Sequence, residues 1–135
     1  MTETSPGPAA RPLSPHLQVW RWHITLFTSI LHRVTGMALY VGFLILAGWA
    51  MSLAAGPAAY AQYRVLLGSL PGKVVLFGLT VSVFYHLAAG VRHLAWDAGQ
   101  GFEPKMADQT GAAAIGFGVV AAIMVWVVAD LMGAL

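Results

Sequence analysis

The sequence predicts an all-α membrane protein with three transmembrane helices. Of its 135 residues, 59% are hydrophobic and only 9% are charged, whereas soluble domains carry roughly 25% charged residues. Three stretches contain no Asp, Glu, Lys or Arg, namely residues 34–63, 74–91 and 109–129. Each is long enough to cross a bilayer, which takes about 20 apolar residues in a helix.

The N-terminal part, residues 1–28, is predicted to be a cytoplasmic tail followed by a short interfacial segment. Residues 1–15 are rich in Pro, Ser, Thr and Ala, which is typical of an extended or mobile chain. Residues 16–28, HLQVWRWHITLFT, mix aromatic and basic side chains, as is typical at the headgroup level of a membrane.

The remainder, residues 29–135, is predicted to form one transmembrane anchor domain. Its spans are expected at about 29–55, 72–94 and 110–132. The intervening sequence GPAAYAQY (56–63) is predicted to be a loop, because it opens with Gly-Pro and carries two tyrosines suited to an interface.

Composition excludes several classes of function. The chain has no cysteine, so it can hold neither disulfides nor thiolate-bound iron–sulfur clusters. Its net charge of +2 does not indicate a nucleic-acid partner. The first ten residues, MTETSPGPAA, contain an acid and no arginine, unlike a transit peptide, which favours a bacterial protein of the cytoplasmic membrane.

The placement of basic residues predicts the orientation. Five Lys and Arg residues flank one side of the predicted spans and two flank the other: Arg11, Arg21, Arg33, Arg92 and Lys105 against Arg64 and Lys73. Because cytoplasmic loops carry the excess of Lys and Arg, the N-terminus is expected in the cytoplasm and the C-terminus in the periplasm.

The residue that most needs a function is His86, which lies inside the second span. Ionisable side chains within a membrane are costly and commonly mark functional sites. His86, Gly90 and His93 share one helix face, and Gly90 leaves room for a bulky group beside the imidazole. His86 is therefore either an axial haem ligand or a histidine that packs by hydrogen bonding to another helix.

If His86 binds a haem, the second axial ligand is expected from a partner subunit. His86 and His93 are about 10 Å apart along one helix and cannot bind opposite faces of one iron. His32, on another helix, is expected near the membrane surface. The three helices would then form half of a heterodimeric helix bundle.

A second group of candidate residues lies at the same membrane face. Ser29 and Arg33 are one helical turn apart and can line one pocket, where the guanidinium could bind a propionate or polarise a carbonyl. Arg33 is equally consistent with a simple positive-inside anchor, as is Arg92. Asp97 either ends the second span or pairs with an arginine.

Three motifs resemble those of the cytochrome b membrane-anchor subunit of succinate dehydrogenase, the quinone-reducing respiratory complex II. They are RPLSPHLQVWRW (11–22), SILHRVTG (29–36) and HLAAGVRHLAWD (86–97). The resemblance implies that His86 is an axial ligand of haem b and that a histidine of a second anchor subunit is the other. It further implies that Ser29 and Arg33 bind quinone and that His32 and Arg33 lie near the haem propionates.

The resemblance assigns His93 and Asp97 to the motif without a defined role. It also implies a flavoprotein subunit and an iron–sulfur subunit as partners, which would carry out succinate oxidation. Two other functions stay open from the residues alone: a haem-free membrane anchor, and a small transporter or channel subunit with His86 as a proton relay.

Overall fold

A computed structural model describes residues 20–134, and the part it describes is helical apart from short connections. The four helices are α1 (Ile24–Ala55), α2 (Pro57–Gly68), α3 (Leu70–Asp97) and α4 (Pro104–Leu131). Three of them, α1, α3 and α4, are long and apolar enough to cross a membrane. The predicted all-α fold with three spanning helices is confirmed.

The first spanning helix begins earlier than the sequence indicated. α1 starts at Ile24 rather than near 29, so residues 24–28 of the predicted interfacial segment are the first turn of the span. Residues 20–23 precede the helix and are not helical. The predicted tail, with the beginning of the interfacial segment, falls on residues 1–19 and lies outside the described residues.

The prediction of a loop at 56–63 is wrong, because these residues belong mostly to α2. Gly56 ends α1 with a φ of 109°, a left-handed conformation that glycine adopts without strain. Pro57 then occupies the first turn of α2, where its missing N–H costs nothing. The Tyr63 hydroxyl donates to the carbonyl of Ile45 at 2.7 Å and fastens α2 to α1.

Helices α1 and α3 each contact all of the other three helices, and the most extensive contact is between α3 and α4. This α3–α4 contact depends on a face of small residues. The buried residues of α4 are Ala107, Gly111, Ala114, Gly118 and Ala122. Small residues let two helix backbones approach closely within a membrane; a Cβ at Gly118 would lie only 2.8 Å from the Cβ of Tyr85.

The contact between α3 and α1 combines a hydrogen bond with glycine packing. The Tyr85 hydroxyl, fully buried, donates to the carbonyl of Thr28 at 2.7 Å. Gly36 of α1 faces the ring of His86, and Gly42 faces Leu79. The two helices are thus aligned so that the start of α1 lies beside the end of α3.

Most large hydrophobic side chains point away from the bundle. Met37, Phe43 and Tyr40 are each about two-thirds exposed, and similar side chains follow on every helix. An outward apolar surface of this extent is suited to lipid and to other membrane subunits.

Candidate functional site

Three histidines from two helices form a stack at one end of the bundle. His32 of α1 lies between His86 and His93 of α3, and these three residues are called the histidine cluster below. The ring centroids of His32 and His86 are 4.0 Å apart, with 16° between the ring planes. Those of His32 and His93 are 4.9 Å apart at 21°. His32 and His93, which were expected at the same membrane face, lie at the same end of the bundle.

The imidazole of His86 is held along one edge by residues of α1. Its Nδ1 lies 3.2 Å from the Oγ1 of Thr35, and its Cε1 faces Gly36. Its Nε2 forms no hydrogen bond with the described residues. The one buried side-chain N or O atom without a partner among those residues is His32 Nδ1.

The side chain of His32 is more buried within the bundle than its predicted position near the membrane surface suggested. Its ring is half-buried between the other two imidazoles, and its Nδ1 is buried without a hydrogen-bond partner in the described residues. A buried N–H left without an acceptor costs roughly 1–3 kcal/mol. The favoured neutral tautomer therefore carries its proton on Nε2, which makes that nitrogen a hydrogen-bond donor.

His93 lies at the exposed end of the cluster. Its Nδ1–H donates to the carbonyl of Ala89 at 2.7 Å, which orients the ring along its own helix. The edge of the ring meets Trp96 at a centroid distance of 5.1 Å. The helix itself and Trp96 thus hold His93 in place against His32.

The cluster suits a planar cofactor better than a chelated metal ion. In residues 20–134, no group of three His, Asp or Glu side chains is arranged to hold a metal. A Cβ at Gly90, one turn beyond His86, would meet nothing within 4 Å. An imidazole whose Nε2 has no partner in the described residues, beside such open space, has the chemistry of a haem ligand.

The remaining predicted site residues lie on the outer surface. Ser29 and Arg33, one turn apart on α1, are both exposed, and Asp97 is exposed at the end of α3. Ser29 and Arg33 can therefore meet a ligand or a partner subunit from outside the bundle.

Arg92 differs from its sequence interpretation as an anchor at the membrane edge. It is only 9% exposed. Its Nε donates to the Thr110 Oγ1 at 3.1 Å, and its Nη2 donates to the carbonyl of Ala107 at 2.8 Å. The guanidinium also lies 4.0 Å from the ring centroid of Trp96, a cation–π contact. Arg92 fastens α3 to α4.

A groove of about 580 Å³ opens outward between α3 and α4. Its lining is almost wholly apolar and includes Leu87, Val91 and Phe117, with Arg92 and Trp96 at one end. None of the three histidines lines it. The groove and the histidine cluster are therefore separate features of the bundle.

Comparison with known families defines the class of protein. A family model described as the succinate dehydrogenase/fumarate reductase transmembrane subunit matches residues 8–125. The chain belongs to this family, and its three apolar helices make it a multi-pass membrane protein.

Individual relatives narrow the class. The chain is 40% identical over 118 residues to the succinate dehydrogenase cytochrome b556 subunit of Paracoccus denitrificans, covering 87% of this chain and 91% of that protein. It is 36% identical over 106 residues to the mitochondrial cytochrome b560 subunit of Sus scrofa, covering 75% and 61%. Its function is that of the cytochrome b subunit of a succinate dehydrogenase membrane anchor.

Proposed function

We propose that this subunit binds haem b through His86, shares it with a second membrane-anchor subunit, and forms part of the quinone-reduction site. The observation that carries the proposal is the state of the His86 imidazole. Its Nδ1 is engaged by Thr35, while its Nε2 has no hydrogen-bond partner among the described residues. A bound haem would supply one-electron transfer beside the quinone.

The other two histidines support the site without ligating the same iron. Two axial ligands need a flat macrocycle between them, whereas the His32 and His86 rings stack directly at 4.0 Å. His32 instead offers an Nε2–H that can donate to an anionic group such as a propionate. The second axial histidine is therefore assigned to the second anchor subunit.

The quinone site is proposed at the exposed face of α1 that carries Ser29 and Arg33. The Ser29 hydroxyl donates a hydrogen bond to one quinone oxygen. The Arg33 guanidinium stabilises the negative charge that develops on that oxygen during reduction. Because both side chains are exposed, the other wall of this site comes from partner chains.

The electrons are proposed to come from succinate through a flavoprotein subunit and an iron–sulfur subunit. The chain contains no cysteine for iron–sulfur ligation, so those clusters belong to another chain. The five-to-two distribution of basic residues supports a position of the histidine cluster near the cytoplasmic face of a bacterial inner membrane, with protons taken up from the cytoplasm.

The haem assignment is tested with His86→Ala in the purified complex. Losing an axial ligand removes or shifts the b-type α band in the reduced-minus-oxidised absorption spectrum. His23→Ala is the matched control, because His23 is an exposed histidine just ahead of α1 and outside the cluster. An α band of unchanged position and intensity in His86→Ala would contradict the assignment of His86 as a ligand, and the absence of a b-type α band from the parental complex would indicate a haem-free anchor.

The quinone assignment is tested separately with Arg33→Ala and Ser29→Ala. Each variant should lower quinone reduction at least tenfold, which corresponds to about 1.4 kcal/mol of transition-state stabilisation. Succinate oxidation with a soluble artificial acceptor should stay near the parental rate, because it bypasses the membrane site. Arg64→Ala, an exposed arginine on α2, is the control. Quinone reduction at the parental rate would contradict the assignment, whereas equal loss of both activities would indicate failed assembly.

A further inference from the structure

Thr35 is the one described side chain that forms a hydrogen bond with the imidazole of His86. It is 6% exposed, and its Oγ1 lies 3.2 Å from His86 Nδ1 across the interface between α1 and α3. It belongs to the motif SILHRVTG, of which only Ser29, His32 and Arg33 were candidate site residues from the sequence. Because Thr35 contacts the buried edge of His86, the proposed haem ligand, it can affect how that imidazole binds iron.

The Thr35 hydroxyl has one proton, and that proton has nearer acceptors than the imidazole. Oγ1 lies 2.9 Å from the carbonyl of Leu31 and 3.0 Å from the carbonyl of His32, both in the preceding turn of α1. Donation to such carbonyls is common for threonine within helices. With its proton given to its own helix, the Thr35 oxygen can only accept from His86.

We propose that Thr35 is a positioning residue that sets the tautomer and the orientation of His86 for iron binding. The inference rests on the proposed function of His86 as a haem ligand. Because the Thr35 oxygen accepts, His86 Nδ1 carries the proton and Nε2 keeps its lone pair. Gly36 completes the seat, since a Cβ at that position would lie 3.2 Å from His86 Cε1.

The same hydrogen bond has an electronic effect on the ligand. When another group accepts a hydrogen bond from the N–H of a metal-bound imidazole, the other ring nitrogen, which binds the metal, becomes more basic. A more basic ligand stabilises ferric over ferrous iron, so the Thr35 contact lowers the midpoint potential of the haem. Removing partners of this kind also weakens metal-site affinity by roughly 10–100-fold.

The experiment is redox potentiometry of the haem in the purified complex, with Thr35→Val and Thr35→Ser. Valine has nearly the shape of threonine but accepts no hydrogen bond, so Thr35→Val should raise the midpoint potential and increase haem loss on dilution. Thr35→Ser keeps the hydroxyl and should restore both properties. Thr28→Val is the matched control, because Thr28 is also buried on α1 and bonds back to its own helix, at the carbonyl of Thr25.

Each outcome decides the inference. A parental midpoint potential and haem affinity in Thr35→Val would overturn it, as would an equal shift in Thr28→Val or in Thr35→Ser. If Thr35→Val does not assemble, the smaller Thr35→Ala is measured against Thr35→Ser by the same criteria. His86→Ala separates the two proposals: an altered α band there with an unshifted Thr35→Val refutes only the role of Thr35.

Discussion

Helix α3 presents two polar surfaces, and they differ in how completely their hydrogen bonds are satisfied. Toward α4, the buried Arg92 finds Thr110 Oγ1, the Ala107 carbonyl and the Trp96 ring, all within this chain. Toward α1, the histidine cluster leaves His86 Nε2 and His32 Nδ1 without hydrogen-bond partners in the described residues.

The difference distinguishes a structural polar group from a site. In an apolar environment, an unpartnered polar atom costs free energy and is retained where something else uses the neighbouring groups. Arg92, whose charge makes its burial the most costly in free energy, forms its contacts within the chain and needs no ligand. The histidines, which carry less charge, are the ones left open. We therefore interpret the α3–α4 contact as the scaffold and propose the α1–α3 contact as the place of the cofactor chemistry.

The largest effect on the scaffold is expected from filling the glycine contact between α3 and α4. A Cβ at Gly118 would lie 2.8 Å from the Tyr85 Cβ and 3.0 Å from its backbone nitrogen. Gly118→Val should destabilise the bundle by about 3 kcal/mol, because the backbone cannot yield locally. Thermal inactivation of quinone reduction in the purified complex measures this.

Gly116→Val is the control for that prediction, since a Cβ at Gly116 would meet nothing within 4 Å. The two glycines lie on one helix and receive the same side chain. Equal thermal stability of the two variants would contradict the close α3–α4 contact.

A smaller effect is expected from Arg92→Met. The substitution keeps an unbranched apolar side chain but removes the donors to Thr110 and to the Ala107 carbonyl. Leaving those groups unpaired should cost about 2 kcal/mol. Thermal inactivation should begin at a lower temperature, while the haem α band of intact complexes should keep its position. A changed α band with parental stability would place Arg92 in the site instead of the scaffold.

The sequence predicted those parts of the fold on which the bilayer imposes a minimum helix length and an absence of charged residues. Charge-free stretches of sufficient length predicted the three spanning helices, because an unpaired charge is costly in lipid. The helix α2 was missed, since Gly56-Pro57 and the two tyrosines are equally typical of a loop. In fact, proline suits a first helical turn, and the Ala, Gln and Leu residues that follow favour helix.

The sequence predicted only those features of the site that depend on residue spacing within a single helix. The i, i+7 spacing placed His86 and His93 on one face, but the insertion of His32 between them depends on the register of α1 against α3. For the same reason the burial of Arg92 and the contact of Thr35 were not predicted. A signal for Thr35 existed: it lies one turn after His32 in an apolar run, where a hydroxyl needs a partner.

The most direct test of the distinction between a structural α3–α4 contact and a haem-binding α1–α3 contact is to measure haem and stability together in His86→Ala and Arg92→Met complexes. The expected result is a complex of near-parental thermal stability with an altered or missing b-type α band for His86→Ala, and a less stable complex with the parental α band for Arg92→Met. A parental α band in His86→Ala would contradict the assignment of the histidine cluster as the haem site.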